Sequence, residues 1–335
     1  MVRREENQID KLRGLLHCLS DEQFHSGETL GHTLGLSRSG VWKLIQQCRH
    51  LDIAIQSVTN KGYRLKHPLV LLNKEKISDA RFPLQAHLSD IEIFDTLTST
   101  NDYLLDKAKT HPSGHWACLA EHQSKGKGRR GRTWISPYAK NLYLSVLWRF
   151  SMDPGELGGL SLVTALALIK TLEPYGVTDI GIKWPNDILW QFKKLAGILI
   201  EISAEAHTVS NTVIGIGINI NMPPSMDKYI SQPWISLEHI AKHYIDRNAL
   251  TASLLNQLIE SFLRFEAQGL SAFTQDWQRY DLTKNRTLTL ITPSSVLEGK
   301  GLGINEKGHL LVQLQNNQVK PFVCGEVSIQ MEEMA

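Results

Sequence analysis

The sequence predicts an α+β protein built from three successive units, and three observations support this. Apolar residues at helical spacing dominate residues 1–67 and lead into a short hairpin pattern. Between residues 68 and 282, strand-like and helix-like segments alternate, which is typical of a mixed sheet with helices packed on it. Residues 283–335 form short alternating strands separated by turn residues, and the last strand is predicted over residues 322–329. The length of 335 residues suits two or three domains.

The composition is that of a folded cytoplasmic protein. Hydrophobic residues make up 42% of the chain and charged residues 21%, which excludes a disordered protein. The longest apolar stretch, residues 160–169, spans about half a bilayer, so we expect no membrane contact. The widely separated cysteines predict reduced thiols. Because the formal net charge is only +2, attraction to nucleic acid must come from local basic clusters.

The first unit has the pattern of a helix-turn-helix. Two short helices precede a turn at residues 35–37, and Ser37 can cap a third helix with a buried apolar stripe. The opposite face of the third helix is polar and basic, as expected for a helix that enters the major groove. The residues predicted to contact DNA are Ser37, Arg38, Ser39, Trp42, Lys43, Gln46 and, from the hairpin that follows, Lys61.

This hairpin has a basic tip and predicts the wing of a winged helix-turn-helix. Two strand-like segments flank the turn at residues 59–62. Residues 37–66 contain six basic residues against Asp52 alone. The alternative is a small helical interaction domain with a solvated basic face, and the basic wing tip favours DNA. Since phosphate contacts alone are blind to sequence, we also expect base contacts and two copies per operator.

A loop at residues 123–134 is rich in both glycine and positive charge. Gly126, Gly128 and Gly131 match G-x-G-x-x-G, but no helix pattern follows them, which excludes a dinucleotide fingerprint. A Walker loop is also excluded, because no glycine-lysine pair of the chain precedes Ser or Thr. Two interpretations remain: a loop that becomes ordered around a phosphate or carboxylate, and a solvated surface loop. The glycine density and the adjacent Trp134 favour the first.

A series of motifs in this order resembles the biotin protein ligases, and the resemblance covers nearly the whole chain. The motifs are Ser99-Thr-Asn101, Gln123, Gly126-Lys-Gly-Arg-Arg-Gly-Arg132, Lys183-Trp-Pro-Asn-Asp187, Lys194-Leu-Ala-Gly197 and Gly215-Ile-Gly-Ile-Asn219. Separate motifs in the right order are far more specific than any one of them. The resemblance implies a class II synthetase-like catalytic domain in the centre and an SH3-like β-barrel at the C-terminus.

The resemblance also implies the activity and the partners. The enzyme would activate biotin with ATP to biotinoyl-AMP and transfer biotin to a lysine of the biotin carboxyl carrier protein of acetyl-CoA carboxylase. We expect Mg²⁺ to arrive with ATP, and no metal site made from side chains, since His239 and His243 have no evident third ligand. With its DNA-binding unit, the chain would also repress biotin synthesis genes as a homodimer that carries biotinoyl-AMP on operator DNA.

The site residues implied by the resemblance fall into three overlapping groups. The biotin-binding group is Ser99, Thr100, Asn101, Gln123, Lys127, Gly128, Arg129, Lys194 and Gly215. The adenylate-binding group is Gly126, Arg130, Arg132, Asn186 and Trp234. The catalytic group is Arg129, Lys183, Asp187 and Lys194. Neutral polar groups suit the ureido ring, and cations offset the repulsion between the biotin carboxylate and the ATP α-phosphate.

Three assignments stay open. Asp187 could act as a base for the acceptor lysine, which is almost wholly protonated at pH 7, or could orient Lys183 or a metal-bound phosphate. Trp234 resembles an aromatic residue that covers the adenine, and the alternative is an ordinary core tryptophan. Lys127 stands where the family typically has arginine, so a bidentate contact there is in doubt.

Two other functions share parts of the pattern. A lipoate ligase would use the same adenylation chemistry, but the glycine-rich basic loop and the Lys183 to Asp187 motif argue against it. A repressor whose ligase domain only senses biotin is the second alternative, and the complete set of motifs argues against lost activity. The sequence predicts neither the operator nor the dimer surface.

Overall fold

The computed structural model describes residues 2–80, 83–204, 210–292 and 295–330, with the backbone alone at residues 2–9 and 204. The helices are α1 (Val2–Leu19), α2 (Gly27–Leu34), α3 (Arg38–His50), α4 (Lys74–Asp79), α5 (Thr100–Thr110), α6 (Leu160–Leu172), α7 (Leu237–Ala241), α8 (Arg247–Gln268) and α9 (Thr274–Tyr280). The strands are β1 (Ile55–Val58), β2 (Gly62–Leu65), β3 (Asp90–Leu97), β4 (Trp116–Gln123), β5 (Leu142–Phe150), β6 (Ile180–Lys183), β7 (Asp187–Trp190), β8 (Lys193–Ala204), β9 (Ser210–Ile218), β10 (Thr287–Ile291), β11 (Val296–Ile304), β12 (Leu310–Leu314), β13 (Val319–Phe322) and β14 (Glu326–Ile329).

Helices α1 to α3 and the hairpin β1–β2 form a winged helix-turn-helix, which confirms the prediction for this unit. Ser26 caps α2 by accepting a hydrogen bond from Thr29 N, and Ser37 caps α3 by accepting from Gly40 N. Between the two helices, Gly35 takes the left-handed conformation that ends α2. The buried residues of α3 pack against α1, α2 and the hairpin in one apolar cluster. The opposite face of α3 is therefore exposed and can contact another molecule.

The central unit is built on a mixed sheet, as predicted. Within the described residues this sheet has seven strands in the order β3-β4-β5-β9-β8-β7-β6. Strands β3 and β4 are parallel, and the other neighbours are antiparallel. Helices α6 and α8 pack on the sheet and on each other. Because neighbours cover α6 on nearly all sides, its residues are apolar nearly all round. Helix α5 packs on β4, β5 and β9 in a separate apolar cluster. The polar start of α5 is therefore fixed over β5 and β9.

Strands β10 to β14 form a five-stranded antiparallel sheet in the order β13-β12-β11-β10-β14, which confirms a C-terminal unit made of short strands. The prediction of one continuous strand over residues 322–329 was wrong. β13 pairs with β12, whereas β14 pairs with β10, so the chain bends at residues 323–325 and crosses to the other edge of the sheet. Trp184 Nε1 donates to Gly308 O over 3.1 Å and ties this sheet to the central unit. Among the described residues, no helix combines the length and the apolar character needed to span a bilayer.

Candidate functional site

A polar cleft lies where the start of α5 meets the middle of β5. Thr100 N and Oγ1 donate to Gln123 Oε1 over 2.9 and 3.2 Å. Ser145 Oγ is hydrogen-bonded to Thr100 Oγ1 at 2.7 Å and to Asn101 Oδ1 at 2.6 Å. Asn101 Nδ2 in turn donates to Glu201 Oε2 over 2.7 Å. These neutral side chains are buried and held in fixed orientations, so they can present donors and acceptors to a polar ring.

Glycines of β9 give this cleft its depth. A Cβ atom at Gly215 would lie 2.2 Å from Asn101 Oδ1, and one at Gly217 would lie 2.5 Å from Trp134 Cε2. On β8, Gly197 also contacts the indole of Trp134. Only glycine leaves room at these points for the amide and the indole to lie against the sheet. The Trp134 ring therefore forms an apolar wall of the cleft.

The basic loop, residues 124–134, folds back on itself beside this wall. Gly128 N donates to Arg132 O over 2.7 Å, and Trp134 N donates to Gly126 O over 2.9 Å. Arg130 takes a positive φ of 56° at the tip. Arg132 forms an ion pair with Glu326, whose pKa is lowered mainly by the hydrogen bond from Arg132. The loop is thereby connected to the C-terminal sheet.

Arg129 points from the basic loop toward the central sheet. Its Nη1 donates to Asn186 Oδ1 over 3.1 Å, and Asn186 Nδ2 donates to Ile198 O over 2.8 Å. Burial lowers the pKa of the guanidinium, and Arg130 acts in the same direction, while Asp187 opposes both. An arginine remains charged despite such a shift, so Arg129 is a partly desolvated cation that an anion can approach.

A carboxylate paired with two ammonium groups lies next to Arg129. Asp187 Oδ1 is 2.8 Å from Lys194 Nζ, and Asp187 Oδ2 is 3.4 Å from Lys183 Nζ. Lys194 Nζ also lies 5.4 Å from the ring centroid of Trp134. One carboxylate thus orients two ammonium groups at the edge of the cleft.

Most of the predicted site residues converge on adjoining cavities. The first cavity opens beside Thr100 and Trp134. It is lined by all of the predicted biotin-binding residues, namely Ser99, Thr100, Asn101, Gln123, Lys127, Gly128, Arg129, Lys194 and Gly215. The neighbouring cavity is lined by Arg129, Arg130, Arg132, Lys183, Asn186, Asp187 and Lys194. The two cavities share Arg129 and Lys194, so the neutral side chains of the first lie beside a group of cations.

Two predicted residues, Gly126 and Trp234, line neither cavity, and a third, Lys127, is already paired. A Cβ atom at Gly126 would be 2.5 Å from Trp134 O. Lys127 forms an ion pair with Asp102, and this hydrogen bond raises the pKa of its ammonium group. The Trp234 side chain lines a cavity between the N-terminal and central units together with His67 and Met222, although its backbone lies beside Lys194. The structure therefore does not bring the Trp234 ring into the two cavities that hold the other site residues.

Several residues of the site were not predicted from the sequence. Ser145 lies in a run of apolar residues, a pattern that indicates only a buried strand. Trp134 was singled out for its position but given no role, and Gly217 was quoted only within a motif. The recurrence of glycine at Gly215 and Gly217 on one face of a strand was a usable signal, because it marks a close approach of other groups.

The predicted DNA-contacting residues share one exposed face of the N-terminal unit. Arg38, Ser39 and Lys43 are exposed along α3, and Trp42 is 54% exposed, which is unusual for so large an apolar side chain. Gln46 is half-buried farther along α3. Arg38 and Lys61 line the same surface cleft between α2 and the wing. The wing is held there by two backbone hydrogen bonds of 2.9 Å between His25 and Tyr63, and a Cβ atom at Gly62 would lie 2.0 Å from His25 O.

The part of the chain that the structure describes contains no group of three or more His, Cys, Asp or Glu side chains able to hold a metal ion.

The sequence is similar to known proteins over most of its length. Residues 93–219 match the Biotin/lipoate A/B protein ligase family, and residues 11–64 match an HTH domain. The bifunctional ligase/repressor BirA of Escherichia coli (strain K12) is 38% identical over 319 residues, which are 95% of this chain and 97% of that protein. The bifunctional ligase/repressor BirA of Bacillus subtilis (strain 168) is 30% identical over 318 residues, covering 94% and 96%.

The fold is similar to that of a solved structure described as the biotin protein ligase from Aquifex aeolicus in complex with biotin and ATP. The TM-score is 0.60 at 27% sequence identity, and the match covers 73% of this chain and 100% of that chain.

Proposed function

This chain belongs to the family of bifunctional biotin protein ligases and repressors, and from that membership we propose how its own residues carry out both functions. The enzymatic function is the activation of biotin with ATP to biotinoyl-AMP, followed by transfer of biotin to a lysine of the biotin carboxyl carrier protein. The second function is repression of biotin synthesis genes by binding to operator DNA. The neutral side chains that lie beside Arg129 and Lys194 support the first assignment, because biotin has a neutral head and an anionic tail.

Biotin binds with its ureido ring in the polar cleft. Thr100, Asn101 and Ser145 are already hydrogen-bonded to one another, so their remaining donors and acceptors have fixed directions. Gln123 completes this set. The ring of Trp134 covers the apolar part of the vitamin, and the carboxylate extends toward Arg129 and Lys194. Gly128 lets the backbone of the basic loop approach the ligand closely.

Activation requires two anions to meet. A carboxylate oxygen of biotin attacks the α-phosphate of ATP, the new C–O–P linkage forms, and the bond to the bridging oxygen of pyrophosphate breaks. Arg129, Lys183 and Lys194 converge on this point and offset the negative charge in a partly desolvated site. Arg130, Arg132 and Asn186 line the same cavity and hold the phosphates of the nucleotide, and Gly126 shapes the loop. Trp234 would reach the adenine only by turning from its present surroundings.

The described residues fit a magnesium ion that arrives with ATP and is held mainly by phosphate oxygens, because the Asp187 carboxylate is engaged by Lys183 and Lys194. When bound, the ion neutralises phosphate charge.

In the transfer step, the acceptor amine attacks the acyl carbonyl of biotinoyl-AMP, AMP leaves, and the amine loses a proton. Asp187 primarily positions Lys194 and Lys183, since both of its oxygens face an ammonium group. This arrangement supports a positioning role over that of the base. Lys194 is then oriented toward the developing charge on the acyl-phosphate group.

The enzymatic proposal is tested by adding biotin, ATP and a carrier domain to the purified protein and measuring the mass of the carrier. We expect an increase by one biotinoyl group that requires all three components. A parallel reaction with lipoate should leave the mass unchanged, and a lipoyl adduct would identify the chain as a lipoate ligase. If neither an adduct nor biotin-dependent release of pyrophosphate is detected, the chain is a biotin sensor without ligase activity.

Repression follows from the N-terminal unit. The exposed face of α3 supplies Arg38, Ser39, Trp42, Lys43 and Gln46 to the major groove, with Ser37 at its start, and Lys61 at the wing tip contacts the backbone. Biotinoyl-AMP favours a homodimer that spans two half-sites, which raises affinity above that of one unit. We place the domain boundaries at 1–67, 68–282 and 283–335, where the chain leaves β2 and α9.

A further inference from the structure

Two side chains from distant parts of the chain meet at one carboxylate. Asp95, on β3, accepts a hydrogen bond from Arg13 Nη1 on α1 over 3.1 Å and from Tyr138 Oη over 2.9 Å, both at Oδ1. Asp95 is largely buried, so the ion pair with Arg13 is shielded from solvent on one side. Burial, with Asp95 next, raises the pKa of Tyr138, which keeps its hydroxyl a donor. We name Arg13, Asp95 and Tyr138 the junction cluster.

Tyr138 belongs to the catalytic unit by sequence but packs in the core of the winged helix. Its ring and Ala139 lie in the same apolar cluster as Leu15, Leu16 and Leu69. Tyr138 follows the basic loop by four residues, and Trp134 forms the wall of the biotin cleft. The segment at residues 134–138 therefore runs directly from the ligand cleft into the DNA-binding unit.

Arg13 also holds the linker between the two units, residues 66–73, which connects β2 to α4. Its Nη2 donates to Leu72 O over 2.9 Å, and Leu72 N donates to Glu121 Oε1 over 2.6 Å. Glu121 pairs with Arg247 at 2.7 Å, and both side chains are fully buried. Glu121 is on β4, two residues before Gln123 of the biotin cleft. The linker is thus fixed to the strand that carries a ligand contact.

We propose that the junction cluster couples occupancy of the biotinoyl-AMP site to operator binding. The proposal rests on the proposed repressor function and adds the residues that connect the two sites. Three residues separate Trp134 from Tyr138, so a shift of the basic loop has a short backbone path to Tyr138, whose hydroxyl is hydrogen-bonded to the carboxylate that holds α1. Coupling between two sites requires a structural element whose conformational equilibrium both sites shift. The junction cluster contacts α1, the linker and β3, the strand that precedes Ser99.

Two conservative variants test the cluster. Tyr138→Phe removes one hydroxyl and keeps the ring in its apolar surroundings, and Arg13→Gln removes the ion pair. Arg279→Gln, on α9 and far from the junction in sequence, is the charge-matched control, since its side chain is exposed against Tyr280. A DNA duplex is first selected from random sequences with the wild-type protein in the presence of biotin and ATP. The readout is the ratio of the Kd for this duplex without and with biotin and ATP.

We expect both cluster variants to lower this ratio by at least about fivefold relative to the wild type and to the control, which is the size of a typical coupling. Biotin-dependent pyrophosphate release and Tm should stay close to the wild-type values. The double variant should lose no more than the larger single loss, because both side chains act through Asp95. Additive losses would assign Arg13 and Tyr138 to separate routes and overturn the cluster.

Hydrogen exchange provides a readout that needs no DNA. Biotin and ATP should change protection at residues 134–140 and on α1 in the wild type, and only at residues 134–140 in Tyr138→Phe. Unchanged Kd ratios in both variants, with a clear ratio in the wild type, would overturn the coupling role alone. A ratio of one in a wild-type protein that makes biotinoyl-AMP would overturn ligand-dependent repression as well.

Discussion

At the scale of single residues, Arg129 differs from the other cations of the basic loop. It is the one that reaches into both adjoining cavities and is partly desolvated there. Arg129→Gln should lower biotin-dependent pyrophosphate release by about 10²–10³-fold, the usual loss for one donor to a developing anion. Lys125→Gln changes the charge of the same loop at an exposed position and should be nearly silent. Equal losses in the two variants would favour the solvated-loop interpretation.

Asp187 lies between two lysines, so replacing it distinguishes a role in positioning them from a role as the base. Asp187→Asn keeps the shape but removes the charge that holds Lys194 at 2.8 Å and Lys183 at 3.4 Å. We expect adenylation to slow at least as much as transfer, because both lysines act in adenylation. The two steps are separated by measuring pyrophosphate release and, independently, transfer from preformed biotinoyl-AMP to the carrier. Normal adenylation with impaired transfer would instead identify Asp187 as the base.

At the scale of elements, strand β9 determines the shape of the biotin cleft. Gly217→Ala would place a methyl group 2.5 Å from the Trp134 ring, so the indole and the basic loop behind it must shift. Biotin affinity measured by titration calorimetry should fall by at least about tenfold, about 1.4 kcal/mol. Gly155→Ala is the matched control, since a Cβ atom there meets nothing within 4 Å. Tight binding by Gly217→Ala would exclude Trp134 as a wall of the cleft.

Helix α3 and the wing make a second prediction at this scale. Lys43 and Lys61 are exposed on the DNA-facing side, and each phosphate contact adds about 0.9 to the slope of log K against log salt. Lys43→Ala and Lys61→Ala should each reduce this slope by about that amount on a duplex of arbitrary sequence, measured by fluorescence anisotropy. Lys170→Ala, exposed at the end of α6, should leave the slope unchanged. Slopes unaffected by either substitution would place DNA elsewhere on the protein.

The accuracy of the sequence prediction also varies by element. The cap at Ser37 and the wing are determined by local patterns, and the structure shows them as predicted. The strand predicted over residues 322–329 was wrong, because pairing with β10 and β12 decides where the chain bends. The surroundings of Trp234 depend on the packing of the N-terminal unit, which the motif around it does not encode. Long-range contacts explain both differences.

At the scale of the whole molecule, the chain keeps two anion-binding surfaces apart while its net charge is only +2. One is the basic loop with Lys183 and Lys194, and the other is α3 with the wing. Their residues are fixed in different units, so each can bind its own polyanion: the nucleotide at the first and DNA at the second. The units contact one another through Tyr138 and the linker, where we propose that the junction cluster couples the first surface to the second.

This route predicts that ligand controls assembly. In sedimentation velocity, biotin and ATP together should convert a monomer into a dimer, because biotinoyl-AMP binds better to the state that associates and shifts the equilibrium by that difference in affinity. Biotin alone or ATP alone should have a smaller effect. Arg129→Gln with both substrates should remain monomeric, since it fails to retain the adenylate. A wild-type protein that makes biotinoyl-AMP yet sediments as an unchanged monomer would contradict ligand-driven dimerisation and leave the ligase assignment intact.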